Sequence, residues 1–197
     1  MLQLDTVQKI MAVYYRATAG KVSVYDHKYR QVSELSDKDG VEQKVCRYCP
    51  LYQAEAPLAN VSLCHRMHVN AIKESSACGS TQLYVCEMGL VFWSSPVFYD
   101  GIFAGALVGS GYRSSGSLPE GREMTEYFIK QRKKLPQGDG EKLKSLAEML
   151  LLCTVSLSRG SENCHEDIRR RNIQQYKRHG EQTRTLPPQH QHVLFQR

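Results

Sequence analysis

Between Leu90 and Gly111 the chain reads Leu-Val-Phe-Trp-Ser-Ser-Pro-Val-Phe-Tyr, then Asp-Gly, then Ile-Phe-Ala-Gly-Ala-Leu-Val-Gly-Ser-Gly. Two apolar, aromatic-rich runs joined by Asp100-Gly101 have one economical arrangement, a β-hairpin. A two-residue type I′ turn needs positive φ at both central positions, and Asp-Gly tolerates it. The sequence therefore predicts strands over 90–99 and 102–111. Gly105, Gly109 and Gly111 weaken the second strand, as glycines do where a bulge forms or another group approaches closely. That group is a ligand or a helix crossing the sheet.

The flanking segments extend an antiparallel domain. Leu4, Val7, Met11 and Tyr14 follow helical spacing, with Asp5 as N-cap, Gln8 three residues on and Gly20 as stop, giving a helix over 5–18. Lys21–Tyr25 alternates as a half-buried strand, Asp26-His27-Lys28 turns, and Tyr29–Leu35 returns. Residues 36–40 form a loop. Pro50 and Pro57 punctuate 41–60, leaving room for a short helical piece around 50–55. A helix over 60–75 follows, capped by Asn60 or Ser62, with Leu63, Met67 and Ala71 on one face and Cys64 and His68 on the next. Thr81–Cys86 is a third strand. Residues 122–134 form a surface helix ending before Pro136.

The helix over 141–158 places Leu143, Leu146, Leu150, Cys153 and Leu157 at 3-4-3-4 spacing. Two heptads of such a seam suit core packing or a short dimer interface. A polar helix over 161–178 and a Gln-, His-, Pro- and Arg-rich segment complete the chain. The residues divide into 1–158, a folded domain, and 159–197, a C-terminal helix with a basic polar linker or tail.

Composition limits the function classes. At 197 residues and 41% hydrophobic, the chain can bury one core. No run approaches the roughly 20 apolar residues that cross a bilayer. The N-terminus carries Asp5 where a secretion signal would be basic, so a cytoplasmic location without membrane contact is expected. The net charge is +6, and 159–197 carries eight Lys/Arg against four Asp/Glu. A basic polar tail is ordinarily a solvated linker, so nucleic-acid binding by this chain is not expected.

In a reducing compartment the seven cysteines point to metal binding, catalysis or burial rather than disulfides. Cys46-Arg-Tyr-Cys49 is a C-x-x-C pair that can reach one metal without strain. Cys64 stands at a helix start, where the helix dipole favours a thiolate, and Cys86 at a strand end. Cys46, Cys49, Cys64 and Cys86 are the candidate ligands for zinc or an iron–sulfur cluster, with Cys78, His65 and His68 as substitutes. Burial as small apolar groups is the competing role, and it is the expected one for Cys78, Cys153 and Cys164. The chain has no phosphate loop, Ser-His-Asp pattern or H-E-x-x-H motif, and a Cys–His pair has no third group or oxyanion hole beside it. The chain is not expected to be an enzyme. Tyr84, Met88, Phe92, Trp93, Phe98, Tyr99, Phe103 and Tyr112 either fill the core or line an apolar pocket behind the sheet. Tyr84, Trp93, Phe103, Tyr112 and His65 are the candidate ligand contacts.

The segment Tyr84-Val-Cys86-Glu-Met-Gly89-Leu90, followed by Pro96-Val97, Asp100-Gly101 and Gly105…Gly109…Gly111, resembles the PocR-type sensory domain. This is a PAS-related ligand-sensing module of bacterial and archaeal signalling proteins. The resemblance spans roughly residues 4–155 and is most specific over 86–111. It implies an α+β fold with a PAS-like central antiparallel sheet of about five strands flanked by helices. It also implies sensing of simple hydrocarbon derivatives such as short diols, and a neighbouring output domain, an AraC-type DNA-binding domain or a histidine kinase. Carried onto matching positions, its cysteines are Cys49 (or Cys46), Cys64 and Cys86, and the second cysteine of the C-x-x-C is an addition. No output domain is evident in the sequence, so it is either cut after the sensor or a stand-alone sensor.

The expected function is thus a small-molecule sensor of a signal-transduction or transcription-regulatory protein, homodimeric through its C-terminal helices. Two alternatives are a metal- or iron–sulfur-dependent redox sensor, and a dimerising interaction module without a small ligand.

Overall fold

The computed structural model describes residues 2, 4–36, 40–53, 62–116 and 124–158. The elements run α1 (Leu4–Thr18), β1 (Val22–Asp26), β2 (Gln31–Leu35), α2 (Val41–Arg47), α3 (Pro50–Gln53), α4 (Leu63–Cys78), β3 (Gln82–Val85), β4 (Leu90–Tyr99), β5 (Ile102–Arg113), α5 (Glu126–Lys134) and α6 (Gly140–Ser158). The five strands form one antiparallel sheet in the order β2-β1-β5-β4-β3. This is the expected α+β architecture, with helices on both faces. The helix expected over 161–178 lies outside the described residues.

The hairpin organises the sheet. Asp100 and Gly101 have φ values of 50° and 76°, the positive pair that a type I′ turn needs. Residues 91–97 of β4 are buried at every position because helices cover both faces, so the strand reads as a continuous apolar run rather than an alternation. Trp93 and Val97 face α1 and α6, while Phe92 faces α4. The two serines between them are buried and paired. Ser94 meets Ser75 of α4 at 2.9 Å, and Ser95 meets Thr154 of α6 at 2.8 Å. Pro96, which has no N–H for a ladder, stands past the last β3 partner, Gln82 opposite Ser94.

One layer is α1 and α6. Val7, Met11 and Tyr14 pack with Leu143, Leu146, Leu150 and Leu157 against the sheet. The 3-4-3-4 seam of α6 is thus core packing within the domain. Trp93 Nε1 donates to the Tyr14 hydroxyl at 2.9 Å, and that hydroxyl donates to the Leu146 carbonyl at 3.3 Å, joining strand to both helices. Gly109 lies under the Trp93 ring, where a Cβ would sit 2.4 Å from Nε1.

The other layer is α4 with α2, α3 and α5. Ser62 caps α4 by accepting the His65 N–H at 3.1 Å, and Gly79 closes it in the left-handed conformation. The helix at 41–47 is not legible in the sequence. It has seven residues, no side-chain cap and two apolar positions.

Candidate functional site

Between β1, β5 and the α2–α4 layer lies a cavity of about 340 Å³. That volume is within the usual range of small-molecule sites, about 300–1,000 Å³. Its walls differ in chemistry. One wall is apolar and sulfur-bearing, with Cys46, Cys49, Cys64, Cys86, Leu51, Leu90, Phe92 and Tyr112. The other is polar, with Lys21, Tyr25, Gln31, Glu34, Glu42, Gln43, His68 and Ser110.

All four candidate cysteines therefore reach one cavity, from three separate segments. Cys46 comes from the last turn of α2, Cys49 from the link to α3, Cys64 from the first turn of α4, and Cys86 from the turn after β3. The Cys86 turn is pinned from α5. Arg132 is buried, and its guanidinium donates to the carbonyls of Met88 and Gly89 at 2.9 and 3.1 Å. Cys86 Sγ accepts the Leu90 N–H at 3.4 Å.

As placed, the Cys46, Cys64 and Cys86 thiols are protonated near neutral pH. Burial pushes Cys86 up to about 12 and Cys64 to about 11, and it holds Cys46 well above the thiol range despite Lys21 nearby. In kind, four thiols suit a thiophilic metal or a cluster. In arrangement they do not yet do so: among the described residues no three His, Cys, Asp or Glu side chains converge closely enough to hold a metal ion.

The polar wall is a continuous network. Lys21 pairs with Glu34 at 3.0 Å, and Glu34 also accepts from Gln31 Nε2 at 2.9 Å and from Ser23 at 3.3 Å. Burial works against the Lys21 charge, but the Glu34 and Glu42 carboxyls beside it hold it above its ordinary value. Burial likewise disfavours the Glu34 charge, and Lys21 prevails and holds that carboxyl low. Glu42 accepts the Lys21 backbone N–H at 3.2 Å and the Ser110 hydroxyl. For this carboxyl burial prevails over Lys21, and its pKa is raised. Tyr25 joins His68 Nδ1 at 2.9 Å and Gln31 Oε1 at 3.3 Å. Burial drives the His68 imidazole down to about 3, with Lys21 adding to the effect, so it is neutral in the fold.

Of the aromatic and histidine candidates, Tyr112 and His65 line the cavity. Tyr84, Trp93 and Phe103 do not. Tyr84 stacks on Phe92 at 5.3 Å and donates to the Ala71 carbonyl. Trp93 faces the opposite layer. Phe103 stacks on Tyr29 at 5.7 Å. A bulge explains the position of Tyr112. Val91 pairs with Tyr112 and Phe92 with Ser110, so Gly111, at φ 126°, is the extra residue. The bulge turns Tyr112 out of the Ser110 row, with Trp93 6.2 Å away and Lys142 of α6 5.1 Å from its ring. The sequence alone did not mark Lys21, Glu34, Glu42, Gln43 and Ser110. The one available signal was the opposite charges of Lys21 and Glu34 on two strands of a tight hairpin.

The family model described as the sensory domain found in PocR matches residues 1–163. The chain belongs to that family. By that description it is a sensory domain. No curated protein matches the chain. Among solved structures, it is similar to the C-terminal domain of the Escherichia coli transcriptional regulator KdgR, with 14% identity over 79% of this chain and 95% of that one and a TM-score of 0.42. It is also similar to a domain of an IclR-family putative transcriptional regulator, with 10% identity over 78% and 93% and a TM-score of 0.43. A GAF domain/HD domain protein from Geobacter sulfurreducens gives 6% identity over 78% and 90% and a TM-score of 0.40. No helix among the described residues is long and apolar enough to cross a membrane.

Proposed function

We propose that this PocR sensory domain binds a small organic molecule, of the class of simple hydrocarbon derivatives, in the cavity between α2–α4 and the sheet. It reports occupancy through α6 to an output domain, DNA-binding or kinase, in a cytoplasmic signalling or transcription-regulatory protein. The observation that carries this reading is the two-walled cavity in a member of a sensory family. An apolar wall takes the carbon skeleton and a polar wall fixes orientation. Exposed Val13 on α1 and Leu152 on α6 offer a surface for a homodimer of such sensors.

Thermal unfolding against a panel of two- to six-carbon alcohols, diols, aldehydes, ketones and acids tests it. A ligand at a hundredfold excess over its Kd should raise the midpoint by about 5–10 °C. Cys64→Phe, which fills the cavity from its lip, should abolish the rise. A flat response to every probe, or a rise that survives Cys64→Phe, would refute the cavity as the sensing site.

A second reading is supported by the four cysteines of three segments lining one cavity: the thiols close around zinc or an iron–sulfur cluster and themselves respond to redox state. Metal analysis and an absorption spectrum of protein purified without oxygen separate the cases. Iron and sulfide with a broad charge-transfer band support the cluster, and stoichiometric colourless zinc supports a zinc site. Cys64→Ser and Cys86→Ser should each lower the metal content. Metal-free protein with reduced thiols removes this reading and leaves the cysteines as an apolar wall.

A further inference from the structure

Among the described residues, one side-chain group of the polar wall has no protein partner. Gln43 lies on α2 between Glu42 and Lys44, lines the cavity, and has a side-chain oxygen that is buried without a hydrogen-bond partner. An orphaned buried acceptor is uncommon in a folded protein and costs stability. The cavity around it carries carboxyl groups together with a cation, Lys21. The Glu42 carboxyl is adjacent in the chain, and the Glu34 carboxylate lies on the same cavity. The Lys21 ammonium is engaged by Glu34.

The hydrogen-bond chain through Tyr25 has a consistent direction. Gln31 gives its N–H to Glu34, which leaves Gln31 Oε1 able only to accept from the Tyr25 hydroxyl. His68 Nδ1 must then carry the hydrogen it shares with Tyr25, which leaves Nε2 an acceptor. Arg47, the other cation on the cavity, is exposed at its edge.

We propose that Gln43 determines specificity: its side-chain carbonyl accepts a hydrogen bond from a hydroxyl or amine of the ligand, and a ligand whose one polar group is a carboxylate is discriminated against because it leaves that carbonyl unpaired. This rests on the cavity being the sensing site and adds what its polar wall selects. A carboxylate brings only acceptors and leaves Gln43 unpaired. A ligand O–H removes the orphan.

Isothermal titration with propane-1,2-diol and with propionate, which has the same three carbons but no O–H to give at neutral pH, tests the choice in the wild type. Gln43→Met and Gln43→Leu keep the side-chain volume and remove the acceptor. The wild type should bind the diol at least tenfold more tightly than propionate. Both variants should lose roughly tenfold in diol affinity. The ligand-free variants should melt about 2–4 °C higher than wild type, because the orphan is gone. A residue with a merely structural role would give the opposite sign in melting. Propionate binding as tightly as the diol, or variants that bind the diol like wild type, overturns the assignment of Gln43 while the sensing site stands. No binding by any member of the wider panel overturns the sensing site and this assignment together.

Discussion

Leu150→Asp should leave the domain unfolded at room temperature, not merely monomeric. Leu150 is completely buried between α6 and the sheet, packed with Tyr14, Trp93 and Leu146. Removing a buried leucine costs about 2–5 kcal/mol, and an unpaired carboxylate in its place adds a desolvation penalty. The sum is comparable with the whole stability of a small domain, about 5–15 kcal/mol. Far-ultraviolet circular dichroism and the emission of the single tryptophan, Trp93, should both report the loss. Leu152→Asp, two residues on but 67% exposed, should change stability by no more than about 0.5 kcal/mol. The pair separates core from surface. If Leu150→Asp stays folded, α6 does not pack as described. If Leu152→Asp changes the oligomeric state, that face carries the dimer.

Acidification from pH 7.5 to 5 should remove about 2 kcal/mol through His68 alone. The imidazole has its pKa lowered from 6.5 to about 3 by burial, with Lys21 and His65 adding to the effect and Glu34 opposing it. The unfolded chain therefore takes up this proton first. The stability contributed by His68 is complete above about pH 6.5 and drains away as the pH falls toward 3. Glu42 acts in the reverse sense, because its raised pKa favours the fold at low pH and the gain is lost as pH rises through it. The quantity to measure is thus a difference. Urea unfolding of wild type and His68→Gln at the two pH values should show the variant with the smaller loss on acidification, by about 2 kcal/mol. Equal losses would mean that His68 is solvated in the fold.

The two sides of the site were unequally legible in the sequence. The hairpin was readable because Asp100-Gly101 has a local conformational demand, and α4 because Ser62 and Gly79 terminate it by local hydrogen bonds. The cysteines could be grouped because C-x-x-C spacing and a helix start are also local. The polar wall could not be assembled that way. Lys21, Glu42, His68 and Ser110 meet only through strand register and the docking of α2 and α4, and α2 itself carries too few apolar residues to announce a helix.

Trp93 shows the same limit from the other side. Val91, Phe92 and Trp93 are all buried, so the run has no alternation to say which residue faces which layer. The cavity lies on the Phe92 side and the tryptophan packs on the other.

The extra residue in β5 has a mechanical consequence. Gly111 has its left-handed φ where a Cβ would stand 3.1 Å from Glu42 Oε2, so the kink and the carboxyl are built together. Beyond that kink the sheet stops being a partition. The ring of Tyr112 is at once part of the cavity wall and a neighbour of Trp93 and Lys142 on the far side. Trp93 is fully buried and cannot yield without disturbing Tyr14. A load placed on that ring from within the cavity is therefore passed to the N-terminal end of α6, where Lys142 sits over it.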